Sequence, residues 1–380
     1  MAQEISQRAL TDYLHAKASR TGIPLSGTFE LSPICNFKCR MCYVRKSSKE
    51  VQKNDRIMTL EDWRKLAAEA REAGVLYLLL TGGEPLLWPD FWTLYDELVD
   101  MGFVISINSN GSLIDEEAVL HFLRKPPRRI NITLYGASDD TYQHLCGIEG
   151  VFSKIDKNIR RLMEAGIVVK LNCSLTPENA KDLDWIIDYA KERDTVLSVA
   201  TYMFPPIRRD ETMIGSNERF TSEECADYLL HYLYRNRDEE EFERYLQKIL
   251  GGTAEPPGLS EECVDTVDGK MRCRAGRTSF WVTWDGWMTP CGMMPVPKID
   301  IHSKKFADAW NGIKKMTNDI RLSGTCQSCP NVRICHPCAA IAYAETGKWE
   351  GIPIYKCRTA IKLKENAERL VNKTSRRRRE

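Results

Sequence analysis

From residue 27 to about 200 the chain alternates short apolar segments with amphipathic segments of helical periodicity, one pair in roughly 30 residues. The apolar segments predict six strands: Gly27–Leu31, Val75–Leu80, Phe103–Ile107, Ile130–Leu134, Val168–Cys173 and Val196–Thr201. Helices are predicted between them: from Leu60, with Thr59 and Asp62 as a capping box, and near 89–100, 115–124, 152–165 and 178–192. Successive βα units predict parallel strands with outer helices. Since a closed barrel of this type has eight units, six predict an α/β fold with a partial (β/α)6 TIM-like barrel.

Three cysteines, Cys35, Cys39 and Cys42, follow the first predicted strand. Three thiolates can hold three irons of a four-iron cluster, which leaves the fourth iron open to a substrate or cofactor. The run Gly82-Gly83-Glu84 follows the second predicted strand. Both segments therefore lie at the carboxyl edge of the strands, where parallel α/β proteins place ligand sites. A redox thiol cluster or part of a zinc site is the alternative interpretation of the three cysteines.

The C-x3-C-x2-C pattern of these cysteines resembles the signature of the radical S-adenosylmethionine (SAM) superfamily. The resemblance implies a [4Fe-4S] cluster on the three thiolates, with SAM bound at the open iron through its amino and carboxylate groups. It also implies reductive cleavage of SAM to a 5′-deoxyadenosyl radical. The family usually has an aromatic residue before the third cysteine, near the adenine; here Met41 precedes Cys42 and Tyr43 follows it.

The same resemblance implies further SAM contacts. The family's glycine-rich motif, which contacts the SAM amino group, corresponds to Thr81, Gly82, Gly83 and Glu84. The groups that reach the SAM ribose correspond to Asn108, Ser109 and Asn110. A small hydroxyl residue near the SAM carboxylate corresponds to Thr133. These polar residues could equally well end their strands without any ligand role. Some relatives place an Arg before a Gly to pair with the carboxylate, but this chain has His144-Leu145-Cys146-Gly147 there. Cys146, like Cys173 and Cys225, is interpreted as a core thiol, and no catalytic acid or base is identified.

The remaining cysteines form a second array near the C-terminus: Cys263, Cys273, Cys291, Cys326, Cys329, Cys335, Cys338 and Cys357. The array resembles the SPASM domain, which extends radical SAM enzymes that modify peptides and proteins. The resemblance implies two auxiliary iron–sulfur clusters. The outer one would use Cys326, Cys329, Cys335 and Cys357, and the inner one Cys273, Cys291 and Cys338. Cys263 is the candidate fourth inner ligand; the alternative is an inner cluster with one iron open to substrate. A zinc ribbon on the four cysteines from 326 to 338 is the alternative.

Five segments are predicted along the chain: an N-terminal extension at 1–26, the barrel at 27–201, a helical connector at 202–262 with a charged helix from Ser222 to Leu250, the cysteine-rich SPASM module at 263–360, and a helix end with a basic tail at 361–380.

Charge and hydropathy exclude two classes of partner. Lys and Arg total 54 and Asp and Glu total 53, so no overall field favours nucleic acid. The sequence lacks a run of about 18 apolar residues and a signal peptide, which predicts a cytoplasmic protein with no membrane partner. In that reducing compartment the 14 cysteines favour metal ligation over disulfides.

These patterns predict a radical SAM oxidoreductase, or peptide maturase, that oxidatively modifies a peptide or protein side chain. The product would be a thioether, a carbon–carbon cross-link or a related oxidation, with the auxiliary clusters accepting the electron. The expected partners are a peptide or protein substrate and a flavodoxin- or ferredoxin-type electron donor. Only 26 residues precede the first predicted strand, so leader recognition is expected from a separate leader-peptide-binding protein or from the 202–260 region, or it does not occur at all.

Three alternative functions stay open. Anaerobic sulfatase-maturating enzymes, which form formylglycine, resemble one another in an Asp after the cysteine that corresponds to Cys291, whereas Gly292 follows it here. A small-molecule oxidative decarboxylase or dehydrogenase, acting for example on a haem precursor, is the second. A zinc or iron–sulfur interaction module without enzymatic activity is the third.

Overall fold

The computed structural model describes residues 2–54, 56–252, 269–271 and 273–377. The strands are β1 (Ser26–Glu30), β2 (Tyr77–Thr81), β3 (Val104–Ser109), β4 (Arg129–Thr133), β5 (Val169–Ser174), β6 (Val196–Ala200), β7 (Ser279–Val282), β8 (Trp287–Thr289) and β9 (Ile299–Asp300). The helices before residue 200 are α1 (Ala2–Thr21), α2 (Ser48–Gln52), α3 (Leu60–Glu72), α4 (Phe91–Asp100), α5 (Glu116–Arg124), α6 (Asp139–Cys146), α7 (Phe152–Glu164) and α8 (Leu183–Glu192). The later helices are α9 (Ser222–Arg235), α10 (Glu239–Leu250), α11 (Phe306–Asn318), α12 (Gly324–Gln327), α13 (Val332–Cys335), α14 (Ala339–Thr346) and α15 (Ile354–Arg377).

One sheet contains all nine strands in the order β6-β5-β4-β3-β2-β1-β7-β8-β9. Strands β1 to β4 pair in parallel, which confirms the α/β fold with a parallel sheet. Strand β7 pairs in parallel with the free edge of β1, and β8 and β9 continue the sheet as antiparallel strands. The predicted cysteine-rich segment thus supplies three strands to the sheet of the predicted barrel.

The helix that precedes β2 illustrates how the outer layer forms. Thr59 and Asp62 make the predicted capping box, in which each side chain accepts a hydrogen bond from the other residue's backbone N–H. The apolar face of α3 buries Trp63, whose ring lies 4.8 Å from that of Phe29 on β1. Burial of such large apolar side chains is the main stabilising contribution to the contact between helix and sheet.

Several helices differ from the predicted elements. The structure adds α1 and α6, which the sequence patterns did not predict. The predicted single helix from Ser222 to Leu250 was wrong: it is divided into α9 and α10 by a break at 236–238. The Asp238 side chain accepts a hydrogen bond from the Glu241 N–H and so begins a new helix. Helix α15 reaches Arg377 and includes the first residues of the predicted basic tail.

The chain divides into two compact units. Unit 1 comprises residues 1–133, 138–171 and 273–319, and unit 2 comprises residues 134–137, 172–272 and 320–380. Helix α15 packs against α9, α10 and α13 within unit 2. Each unit draws on both the predicted barrel and the predicted cysteine-rich segment, and the predicted domain boundaries stay a prediction.

None of the helices in the described ranges combines the length and the apolar character that crossing a membrane requires.

Candidate metal and cofactor site

The three cysteines of the first array lie in the loop that follows β1, in unit 1. Cys39 is buried, and Cys35 and Cys42 are half-buried. Phe37 anchors the loop, since its side chain is fully enclosed and its ring meets that of Tyr142 on α6 edge-on at 6.1 Å. We call residues 35–42 the cysteine loop.

Hydrogen-bond donors face each of the three sulfurs. The Phe37 N–H donates to Cys35 Sγ at 3.4 Å, and the Arg45 N–H donates to Cys42 Sγ at 3.3 Å. Asn110 Nδ2 lies 3.7 Å from Cys35 Sγ, and the Cys39 thiol is hydrogen-bonded with that of Cys146. Burial raises the pKa of Cys35 to about 12, while the Phe37 N–H opposes the rise. The free thiol is therefore protonated at neutral pH, and a metal must displace that proton to bind.

The predicted glycine-rich motif runs alongside the cysteine loop. The Gly83 N–H donates to the Ser32 carbonyl at 2.7 Å, and the Glu84 N–H donates to the Ile34 carbonyl at 3.0 Å. A Cβ at Gly82 would lie 2.3 Å from Ser32 O, and one at Gly83 would lie 2.3 Å from Ile34 O. Gly82 also has φ +152°. Both glycines therefore allow the motif to approach the backbone that leads into the cysteine loop.

Glu84 is fully buried and joins the ends of β2 and β3. Its Oε1 accepts hydrogen bonds from Ser109 Oγ at 2.9 Å and from the Leu86 N–H at 3.3 Å, and its Oε2 accepts one from the Asn110 N–H at 2.7 Å. Burial raises the pKa of Glu84 to about 7, and the three donors oppose that rise. Of the predicted SAM-contacting residues, the structure brings Glu84, Ser109 and Asn110 together.

Asn110 ties this carboxylate to the cysteine loop. Its Nδ2 donates to Asn36 Oδ1 at 2.8 Å, while its Oδ1 accepts from Ser112 Oγ at 2.6 Å. Asn36 Nδ2 in turn donates to Ser112 Oγ at 2.9 Å. Asn36 and Ser112 were missed by the sequence analysis, because neither belongs to a recognisable motif and only the fold makes them neighbours.

The other predicted cofactor residues lie on neighbouring strands of the same unit. Asn108 on β3 is in register with Asn131 on β4 and accepts a hydrogen bond from its Nδ2 at 2.8 Å. Thr133 lies two residues further along β4 and is half-buried. Asn131 was also missed, although it is buried and its Oδ1 has no hydrogen-bond partner. Thr81 and Met41 are buried, and Tyr43 is half-buried.

In unit 2 the structure brings together Cys326, Cys329, Cys335 and Cys357. They are supplied by α12, α13, α15 and the turn between α12 and α13. Burial raises the pKa of Cys335 to about 11; the charge of Lys356 opposes this, and the other three cysteines add to it. Burial and neighbouring cysteines likewise raise the pKa values of Cys326 and Cys357. The four thiols are therefore close enough to act on one another electrostatically.

Across the described ranges, no three His, Cys, Asp or Glu side chains form a group that could hold a single metal ion. The predicted inner ligands Cys273 and Cys291 are half-buried residues of unit 1, and Cys338 is a half-buried residue of unit 2 at the start of α14. Cys263 lies outside the described residues.

The residue after Cys291 is enclosed by an aromatic ring. A Cβ at Gly292 would lie 2.7 Å from the indole of Trp281 on β7. The Trp281 Nε1–H donates to Oε2 of Glu30 at 2.9 Å, and Glu30 is a buried residue at the end of β1. Position 292 therefore has no room for a side chain while Trp281 keeps its hydrogen bond.

The chain is similar in sequence to a known protein family and to several known proteins. The Radical SAM superfamily model matches residues 29–190. An AdoMet-dependent heme synthase from Methanosarcina barkeri is 26% identical over 343 residues, which cover 87% of this chain and 95% of the relative. A PqqA peptide cyclase from Granulibacter bethesdensis is 25% identical over 280 residues, 69% of this chain and 74% of the relative.

Among solved structures, anSMEcpe with bound AdoMet and the Kp18Cys peptide has a similar fold, with a TM-score of 0.66 at 19% identity over 93% of this chain and 99% of that chain. Residues 29–190 of this chain, which contain the cysteine loop and the motif from Thr81 to Glu84, are thus similar to the Radical SAM superfamily.

Proposed function

We propose that this chain is a radical SAM enzyme that oxidatively modifies a peptide or protein side chain, using a [4Fe-4S] cluster on Cys35, Cys39 and Cys42. The donor set fits such a cluster, because three soft thiolate ligands are offered within one loop and each sulfur faces a hydrogen-bond donor. When bound, the cluster and SAM supply a 5′-deoxyadenosyl radical that abstracts a hydrogen atom from the substrate.

The residues around the cysteine loop would bind and orient SAM. A carboxylate has about four lone-pair sites, and the donors to Glu84 occupy three of them. One site on Oε2 is left for the SAM amino group. Asn108 and Thr133 would contact the ribose and the carboxylate, and Met41 and Tyr43 the adenine. These assignments are supported by the resemblance. Glu84, Asn108 and Thr133 also lie at or near the carboxyl ends of β2, β3 and β4, and Met41 and Tyr43 lie in and just after the cysteine loop.

We further propose an outer auxiliary cluster on Cys326, Cys329, Cys335 and Cys357. A zinc ribbon would use the four cysteines nearest in sequence, from 326 to 338. Cys357, supplied by α15, acts electrostatically on Cys326 and Cys335 and therefore lies near them, as a set of Cys326, Cys329, Cys335 and Cys357 requires. That set is the one implied by the SPASM resemblance. With an inner cluster on Cys273, Cys291, Cys338 and Cys263, anaerobically prepared protein should carry about 12 irons per chain. Stoichiometric zinc with little iron would exclude the SPASM interpretation.

The observation that favours peptide cross-linking over formylglycine formation is the contact between Gly292 and Trp281. The sulfatase-maturating pattern needs an Asp after Cys291, and a Cβ at that position would lie 2.7 Å from the indole. The similarity to a PqqA peptide cyclase over 69% of this chain adds support for a peptide substrate.

Haem formation is the second candidate. Its support is the similarity to AdoMet-dependent heme synthase over nearly the whole length of both chains. The chemistry would again begin with hydrogen abstraction by the SAM-derived radical, but on a small molecule in place of a peptide.

Product analysis distinguishes the two candidates. Reconstituted protein, SAM and dithionite are incubated anaerobically, either with short Cys-, Tyr- or Lys-bearing peptides encoded beside the gene or with a haem precursor. A mass change in a peptide that requires SAM, with stoichiometric 5′-deoxyadenosine, supports the proposal. Decarboxylation of the haem precursor with unchanged peptides supports the second candidate and contradicts the first.

A further inference from the structure

The C-terminal end of α6 holds the middle of the cysteine loop. The Lys38 N–H donates to the Cys146 carbonyl at 2.7 Å, and the Arg40 N–H donates to the Leu145 carbonyl at 3.1 Å. Gly147 ends the helix in the left-handed conformation, with φ +60°. Since the two hydrogen bonds flank Cys39 on both sides, they fix the backbone of Cys39 against the last turn of α6.

The side chain of Cys146 completes this contact. It is fully buried, and its thiol is hydrogen-bonded with the thiol of Cys39. Cys35 and Cys42 accept hydrogen bonds from backbone N–H groups of the loop and of the residues just after it. The Asn110 side chain also faces the Cys35 sulfur, at 3.7 Å, whereas the group that faces the Cys39 sulfur is a second thiol.

The direction of this hydrogen bond follows from the chemistry of a cluster ligand. A cysteine that binds iron does so as a thiolate and carries no proton. A buried free cysteine behaves as a small apolar side chain with a weak S–H donor. With iron on Cys39, the proton between the two sulfurs must therefore belong to Cys146.

We propose that Cys146 is a positioning residue that donates an S–H hydrogen bond to the cluster-bound sulfur of Cys39 and sets the reduction potential of the cluster. This inference rests on the proposed cluster at Cys35, Cys39 and Cys42. Hydrogen bonds to the sulfurs of an iron–sulfur cluster are among the factors that set its potential, and partners behind the ligands also orient them. A donor stabilises the reduced form, which carries one more negative charge, so its loss moves the potential to more negative values.

The test compares Cys146→Ser with Cys146→Ala. The two variants leave nearly the same space around position 146 and differ in one hydroxyl donor. Cys173→Ala is the matched control, since Cys173 is an equally buried thiol on β5. Each full-length protein is reconstituted anaerobically, and the midpoint potential is measured by redox titration of the EPR signal that changes on SAM addition.

We expect the potential of Cys146→Ala to lie below that of the wild type, and that of Cys146→Ser to lie at or above it, with Cys173→Ala unchanged. Equal potentials for the Ser and Ala variants overturn the inference. If Cys146→Ala cannot retain the cluster, retention in Cys146→Ser supports the donor role, and loss in both overturns it. A wild-type protein with no SAM-sensitive signal would instead contradict the proposed function.

Discussion

The cysteine loop and the C-terminal cysteines 326–357 present thiols in different ways. The loop is held by backbone hydrogen bonds to segments distant in sequence, such as the Glu84 N–H to the Ile34 carbonyl and the Lys38 N–H to the Cys146 carbonyl. Cys326 and Cys335 instead lie on helices of four residues each, α12 and α13, whose backbone hydrogen bonds are local, as from the Cys335 N–H to the Asn331 carbonyl. Helices this short are marginal by themselves. Segments distant in sequence therefore preform the loop, whereas we expect the order of the C-terminal cysteines to depend more on the proposed metal.

The largest effect is expected from removing either set of ligands. Replacing Cys35, Cys39 and Cys42 together with Ala should reduce 5′-deoxyadenosine formation to background, because the radical-forming cluster has no other ligands in the proposal. The C-terminal iron and its absorbance should persist. Product quantification by chromatography and iron analysis test this, and SAM cleavage by the triple variant would contradict it.

The reciprocal variant replaces Cys326, Cys329 and Cys335 with Ala. It should lose about four irons per chain and still cleave SAM without substrate, since the loop is preformed. If metal binding orders α12 and α13, hydrogen exchange at 324–335 should rise strongly in this variant. Unchanged protection there would mean that the C-terminal site is as preformed as the loop.

Acid should weaken the unit that carries the loop. His15 is buried against Thr278, and burial, aided by the charge of Arg274, lowers its pKa from 6.5 to about 4. The unfolded chain then binds a proton that the folded one does not, so up to about 3 kcal/mol of stability is present above pH 6.5 and is lost as the pH falls towards 4. Urea unfolding at pH 4.5 and 7.5 measures this, with His15→Gln as the variant that should lack the difference. Equal pH dependence in both proteins would exclude His15 as its source.

A smaller effect on stability is expected from a Gly→Ala substitution in each of the two regions. Gly83→Ala places a methyl group 2.3 Å from Ile34 O, whereas a methyl group at Gly324 meets nothing within 4 Å. We expect Gly83→Ala to cost about 1–3 kcal/mol and to weaken retention of the loop cluster. Gly324→Ala should be neutral or slightly stabilising, because Ala favours helix. Thermal unfolding and iron content check both variants; equal stability of the two would mean that the loop is not tightly supported.

The regular part of the fold could be predicted from the sequence. The six strands predicted between residues 27 and 201 were placed within two residues, because alternating apolar segments indicate burial. Helix α1 was not predicted, because its apolar residues are distributed around the helix and do not form a single apolar face. The break between α9 and α10 had a visible signal, Asp238 followed three residues later by Glu241, which was overlooked.

The candidate site was only partly predictable. The cysteines and the motif from Thr81 to Glu84 stand out because their spacing is unusual. The need for glycine at positions 82 and 83 comes from a tertiary contact, because both residues pack against the backbone that precedes the cysteine loop. The pairing of Asn108 with Asn131 depends on strand register, and that of Cys39 with Cys146 on where α6 ends. The sequence shows that these residues are present, but only the fold shows which of them lie next to one another.

The contact of Gly292 with Trp281 couples two positions that are 11 residues apart. A chain that carries an acidic residue in place of Gly292 needs a smaller side chain in place of Trp281, or it must move the indole away from Glu30. The two positions are therefore expected to change together among related proteins. A single substitution at 292 should disturb the sheet before it alters any chemistry, so engineering a new acid there requires the paired change at 281.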